Sequence, residues 1–151
     1  NIYVYLPAYR KVKRIASHVK NSRFAGTDFT YEDMEAKSYA TSFEASLLRT
    51  DNEYYLLQLV SKDRSSEYSK QVLWVRKESF LVDKMEFYDQ AGRLCKRLNS
   101  SDFQKIDGYW VAREREMIDL IGNHRTRMVM RGIHFDQGLS EKLFSERHLS
   151  R

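Results

Sequence analysis

The chain has 151 residues, 42% hydrophobic and 31% charged, with a net charge of +5, a balance that suits one domain with its own core. A single cysteine, Cys95, excludes an internal disulfide and a cysteine-based zinc cluster, and one proline with six glycines excludes a collagen-like or disordered chain. No run of about 18 apolar residues is present to cross a bilayer as a helix.

Ten Tyr, eight Phe and two Trp favour strands, because flat side chains suit a pleated surface. Ile2–Leu6 predicts a first strand, stopped by Pro7, and residues 11–16 a second. This abrupt opening in a strand predicts that an N-terminal part of the protein is missing from the chain, whose own residues are not expected to include a secretory leader. A polar loop over 17–30 includes Gly26. Thr30 then offers a hydroxyl cap to a short helix that ends near Ala36, with Glu32, Asp33 and Glu35 as early-turn carboxylates at its positive end.

From Tyr39 the dominant period is two. Strands are predicted over 39–49, 54–61, 71–77, 81–88, 93–98, 102–106, 110–119 and 126–135. Between them sit the turn signals Asp51-Asn52, the stretch 63–66, Gln90-Ala91-Gly92, Asp107-Gly108 and Gly122-Asn123. Short links between consecutive strands predict an antiparallel meander, which must curl to bury one face. Leu139, Leu143, Phe144 and His148 fall at helical spacing and predict a terminal helix over 139–149. The whole reads as one mainly β domain, 1–151: a curved antiparallel sheet, an unclosed half-barrel, with a few short helices.

No constellation for catalysis stands out, so the chain reads as a binding protein rather than an enzyme, with no cofactor and no metal. His18, His124, His134 and His148 are scattered and read as surface or edge residues. Cys95 falls inside a strand and reads as a packed thiol. Met117, Met128 and Met130 lie in the last two strands and Met34 in the short helix; flexible thioethers suit a surface that adapts to varied apolar ligands. Arg10, Lys11, Lys13 and Arg14, with Lys20 and Arg23 nearby, form a basic cluster interleaved with Tyr3, Tyr5, Tyr9 and Phe24. Such a cluster contacts lipid phosphates or, as a lesser alternative, nucleic acid; no nucleic-acid motif accompanies it, and no nucleic-acid partner is expected.

Two stretches carry a more specific pattern. One is Leu6-Pro7-Ala8-Tyr9-Arg10-Lys11-Val12-Lys13-Arg14-Ile15; the other is Phe24-Ala25-Gly26-Thr27-Asp28-Phe29-Thr30-Tyr31-Glu32-Asp33-Met34. Together they resemble the LolA/LolB-like outer-membrane lipoprotein-sorting family, whose members carry a YLP-R-VRRI segment followed by an F-GSDF-YED segment. Tyr88-Asp89 with Gly92-Arg93-Leu94, and Thr126-Arg127-Met128 with the tail, agree more weakly. The resemblance covers essentially the whole chain as the C-terminal larger part of a member.

The resemblance implies an unclosed barrel whose concave face is covered by helices, with an apolar cavity between that takes a lipid or lipoprotein acyl chain. It implies a periplasmic or cell-envelope location in a Gram-negative bacterium, soluble or lipid-anchored, and partners in an inner- or outer-membrane complex. Residues expected at the cavity are Phe24, Phe29, Tyr31, Met34, Leu57, Trp74, Met117, Met128 and Met130. Arg10, Lys11, Lys13 and Arg14 are expected to dock the protein on an anionic surface. A non-carrier structural or accessory envelope module is the alternative.

Overall fold

The computed structural model describes residues 2–6, 11–35 and 37–132, with side chains described from residue 18. Strands β1 (Ile2–Leu6) and β2 (Lys11–Ile15) pair antiparallel as a two-stranded ribbon, with Tyr3 opposite Arg14. A 3-10 turn, Ser17–Val19, leads into the segment 20–35. The single-turn helix α1, Tyr31–Met34, follows, and a second, α2, spans Tyr39–Ser42.

The main sheet has seven strands: β3 (Phe43–Thr50), β4 (Tyr54–Ser61), β5 (Tyr68–Arg76), β6 (Val82–Asp89), β7 (Leu94–Ile106), β8 (Tyr109–Asp119) and β9 (His124–Val129). They lie side by side in chain order, all antiparallel, and β3 does not pair with β9. The sheet is therefore the unclosed half-barrel that the alternation predicts.

Single extra residues break the ladder in four places, where Leu48, Ser69, Asp83 and Cys95 have no opposite number. Such bulges bend a strand and increase its twist, which curls an open meander around one face. Between β7 and β8, Asp107 and Gly108 both take positive φ, 50° and 85°. That is the geometry a two-residue Asp-Gly hairpin requires.

Several boundaries differ from expectation. Residues 39–42 form a helical turn, closed by the Ser42 N–H donating to the Ser38 carbonyl at 2.9 Å, rather than the start of β3. The stretches 93–98 and 102–106 form one 13-residue strand. The polar run between them pairs with β8 almost throughout, with Asp102 absorbing a local kink at φ 50°. The last strand ends at Val129. The predicted terminal helix over 139–149 lies outside the described residues.

Packing concentrates on the concave face. One cluster joins Phe29, Tyr68, Phe87, Cys95 and Met117; the other joins Phe43, Leu59, Leu73 and Val75. Burying each large side chain contributes about 1.5–3 kcal/mol, so these two clusters hold the curl.

Candidate functional site

The segment 20–35 is a small hairpin laid across the concave face. Its tip turns through Ala25 and Gly26, both at positive φ, and the Phe24 N–H donates to the Phe29 carbonyl at 2.7 Å. At its base, Lys20 donates to Asp63 and the Asn21 amide donates to the Ser65 carbonyl at 3.3 Å, fixing it to the β4–β5 turn. Its tip reaches the far edge of the sheet. There Arg23 pairs with Asp119 at 2.8 Å, and the buried Asp28 carboxylate accepts from the Thr126 hydroxyl at 2.8 Å. Thr126 Oγ in turn accepts from the Asp28 N–H at 3.0 Å.

α1 adds a second clamp. Thr30 and Asp33 form a reciprocal capping box, as a hydroxyl followed three residues later by a carboxylate allows. Yet the helix carboxylates do more than face a helix end. Glu32, buried, accepts from Ser66 Oγ at 2.6 Å and from the Glu67 N–H at 3.0 Å. Asp33 accepts from the Tyr68 hydroxyl at 2.7 Å, and that oxygen accepts from Lys96 Nζ at 3.0 Å. Burial, with Asp33 and Glu67 close by, pushes the Tyr68 phenol far above its ordinary range, so it stays a donor. Burial also raises the Glu67 carboxyl, one of whose oxygens has no hydrogen-bond partner.

Beneath the hairpin and α1 lies a cavity of about 420 Å³, inside the range of about 300–1,000 Å³ typical of small-ligand sites. The chain has five methionines, and all five, Met34, Met85, Met117, Met128 and Met130, line it. Phe29, Phe43, Phe87 and Leu98 complete most of the apolar wall. Two further hollows of about 380 and 360 Å³ adjoin it, and Tyr39 of α2 lines all three. The concave face is thus a trough with a mainly apolar wall that also includes Glu32, Asp33, Glu35, Lys37 and Arg115, with the hairpin and α2 over it.

Of the residues expected at the cavity, Phe29, Met34, Met117, Met128 and Met130 come together in its lining. Leu57 lines the adjoining 360 Å³ hollow with Leu59 and Leu73. Phe24 and Tyr31 do not join the lining; their rings pack edge-to-face on each other, with centroids 5.7 Å apart, and stiffen the hairpin.

Trp74 faces the other surface of the sheet. Leu73 and Val75 on either side of it point into the trough, so a pleated strand must send Trp74 outward, where Lys84 Nζ lies 3.8 Å from its ring centroid. Arg10 lies outside the described residues, as do the side chains of Lys11, Lys13 and Arg14. Met85, Tyr39 and Arg115 line the trough without having been expected there. Among the described residues no three His, Cys, Asp or Glu side chains are grouped to hold a metal.

A family described only as "uncharacterized protein" matches residues 1–151. No curated protein matches. Among solved structures, a domain from Vibrio parahaemolyticus named for outer membrane lipoprotein sorting aligns with a TM-score of 0.89 and 32% identity, over 99% of this chain and 65% of that one. A DUF1329 family protein from Desulfovibrio piger gives 0.86 and 30%, over 97% and 63%. A LolA superfamily protein from Nitrosomonas europaea gives 0.68 and 25%, over 97% and 66%. The chain thus spans just under two thirds of the length of each of these structures. The chain belongs to the uncharacterized-protein family that matches it from end to end, and its unclosed half-barrel is the fold of these LolA-like and lipoprotein-sorting structures.

Proposed function

We propose that the trough binds the acyl chain of a lipid or lipoprotein, and that the whole protein carries that cargo through the envelope of a Gram-negative bacterium. The observation that carries the reading is the gathering of all five methionines on one cavity. A rigid core needs no such concentration of thioethers, whereas a wall that must close on chains of differing length and shape uses their three rotatable bonds. An acyl chain gains about 0.8 kcal/mol for each methylene it buries. The cover is tied down by polar contacts at each end and by Phe29 between them, and it contributes no strand to the sheet, so it can lift while the strand ladder stays paired. The lipoprotein-sorting name of the Vibrio relative favours the same reading.

Carriage breaks no bond, and the reading is of a binding protein rather than an enzyme. Docking on an anionic membrane or on an acidic partner complex falls to Arg10, Lys11, Lys13 and Arg14. Each cation near an anionic leaflet contributes about 1 kcal/mol. Mass spectrometry of an organic extract of the purified full-length protein tests the proposal. Acylated species in amounts comparable to the protein support it; an extract free of aliphatic molecules, from protein that also takes up none when offered, contradicts it.

A further inference from the structure

Strand β8 alternates charges in the order Arg113, Glu114, Arg115, Glu116, Met117. Glu114 and Glu116 each pair across to β9, with Arg127 at 2.5 Å and Arg125 at 3.7 Å. The pleat sends Arg115 to the opposite face, the trough, with Met117. There its cross-strand neighbours are Ser100 on β7 and Met128 on β9, neither of them an acid. Arg115 lines both the 420 Å³ methionine cavity and the adjoining 380 Å³ hollow, so it stands where the two meet.

The acids of the cavity are already engaged. Glu32 is held by Ser66, the Glu67 N–H and Lys37; Asp33 by Tyr68 and Lys96; Glu35 by Lys37. Among the described residues Arg115 makes no ion pair and no hydrogen bond. Burial raises the pKa of the Tyr39 phenol over the trough, and the charge of Arg115 acts against that rise, so its guanidinium is felt at the cover as well. A cation with five donors, beside a methionine and leucine wall and without a counter-ion among the described residues, is half of a recognition site.

Building on the acyl-chain reading, we propose that Arg115 is the head-group site of the trough, and that the preferred ligand is a single-chain amphiphile with an anionic head. The head is a carboxylate or a phosphate, both of which the planar guanidinium can grip with two parallel bonds. The tail then runs into the methionine-lined cavity. A neutral head would leave the guanidinium unmatched as the ligand displaces water from around it, which costs affinity.

Competition with a fluorescent fatty-acid probe tests this, using hexadecanoate, hexadecyl phosphate and hexadecanamide on the full-length protein. Both anions are expected to bind about tenfold or more tighter than the amide. Arg115→Gln should bring them down to the amide's affinity and leave the amide unchanged, and Arg115→Lys should restore part of the difference. Which anion binds tighter identifies the head group. Equal binding of anions and amide, or an equal loss of all three in Arg115→Gln, overturns the Arg115 site and leaves the acyl cavity standing. Failure of all three ligands to bind the wild type overturns both. The side chain is exposed and unpaired among the described residues, so its replacement should not disturb the fold.

Discussion

His124 Nδ1 lies 2.5 Å from the Oδ2 of Asp28, joining a largely exposed imidazole on the last strand of the sheet to a wholly buried carboxylate at the tip of the covering hairpin. The same oxygen accepts from Thr126, and Arg23 Nη1 stands 3.7 Å from the other. The tip is therefore tethered through one buried acid. Asp28→Ala should cost about 1.5–3 kcal/mol in urea unfolding, because it removes the buried charged acceptor of the Thr126 and His124 contacts. His124→Ala, removing an exposed partner, should cost under about 1 kcal/mol. Equal losses in the two variants would show that Asp28 is not the centre of the tether.

The second clamp makes a different prediction. Glu32→Gln keeps the size of the side chain but places an amide against the Ser66 hydroxyl, the Glu67 N–H and Lys37. Removing the charge from buried hydrogen bonds of this kind should destabilise by about 1.5–3 kcal/mol. Hydrogen exchange should quicken in 28–35 while the amides of β5 and β6 stay protected. Uniform quickening across the sheet would mean that the clamp supports the whole core instead of the cover.

Two carboxylates bend the pH profile in opposite directions. Lys20 and the Ser65 donors hold the Asp63 carboxyl well below its usual range. Its stabilisation is present above the ordinary aspartate value of about 4 and is lost as pH falls through the lowered one; solvent at this half-exposed group keeps the effect small. Burial instead raises Glu67, so its contribution is greatest in acid and is lost as pH climbs through the raised value. Glu67→Gln should therefore raise the urea midpoint at pH 7 and leave it unchanged near pH 3. A variant less stable at pH 7 would mean that the Lys96 contact at 3.9 Å outweighs burial.

Cys95 is buried in β7, with its thiol donating to the Phe87 carbonyl at 3.2 Å, and burial pushes its pKa up to about 11. Only the thiolate attacks alkylating reagents. Labelling with iodoacetamide at pH 8 should be negligible in the native protein and rapid in denaturant, with a midpoint that follows unfolding. Fast native labelling would contradict this packing.

The fold was legible because one face of an antiparallel sheet writes a period of two, and because Asp107-Gly108 and Thr30-x-x-Asp33 are local codes. What lies across the sheet was not. Glu32 meets Ser66, and Asp28 meets Thr126 and His124, only after the chain folds, so their sequence neighbours suggest helix-end and loop charges. Trp74 was misplaced because aromatic bulk suggests a cavity, while the parity of its strand, fixed by Leu73 and Val75, decides otherwise. Met85 escaped notice between Lys84 and Glu86, although its strand alternates correctly. Helical residues 39–42 carry a tyrosine and a threonine, which on composition favour a strand.

The methionine wall offers the most direct test of the acyl cavity. With 13C-labelled methionine methyl groups, each of the five methionines of this chain should give a resonance that reports on the cavity. Titration with dodecanoate should move all five together and saturably, with that of the fully buried Met117 broadening or shifting as strongly as that of the exposed Met34. Five resonances that stay in place at saturating ligand, or a shift confined to Met34, would mean that the chain does not enter the trough.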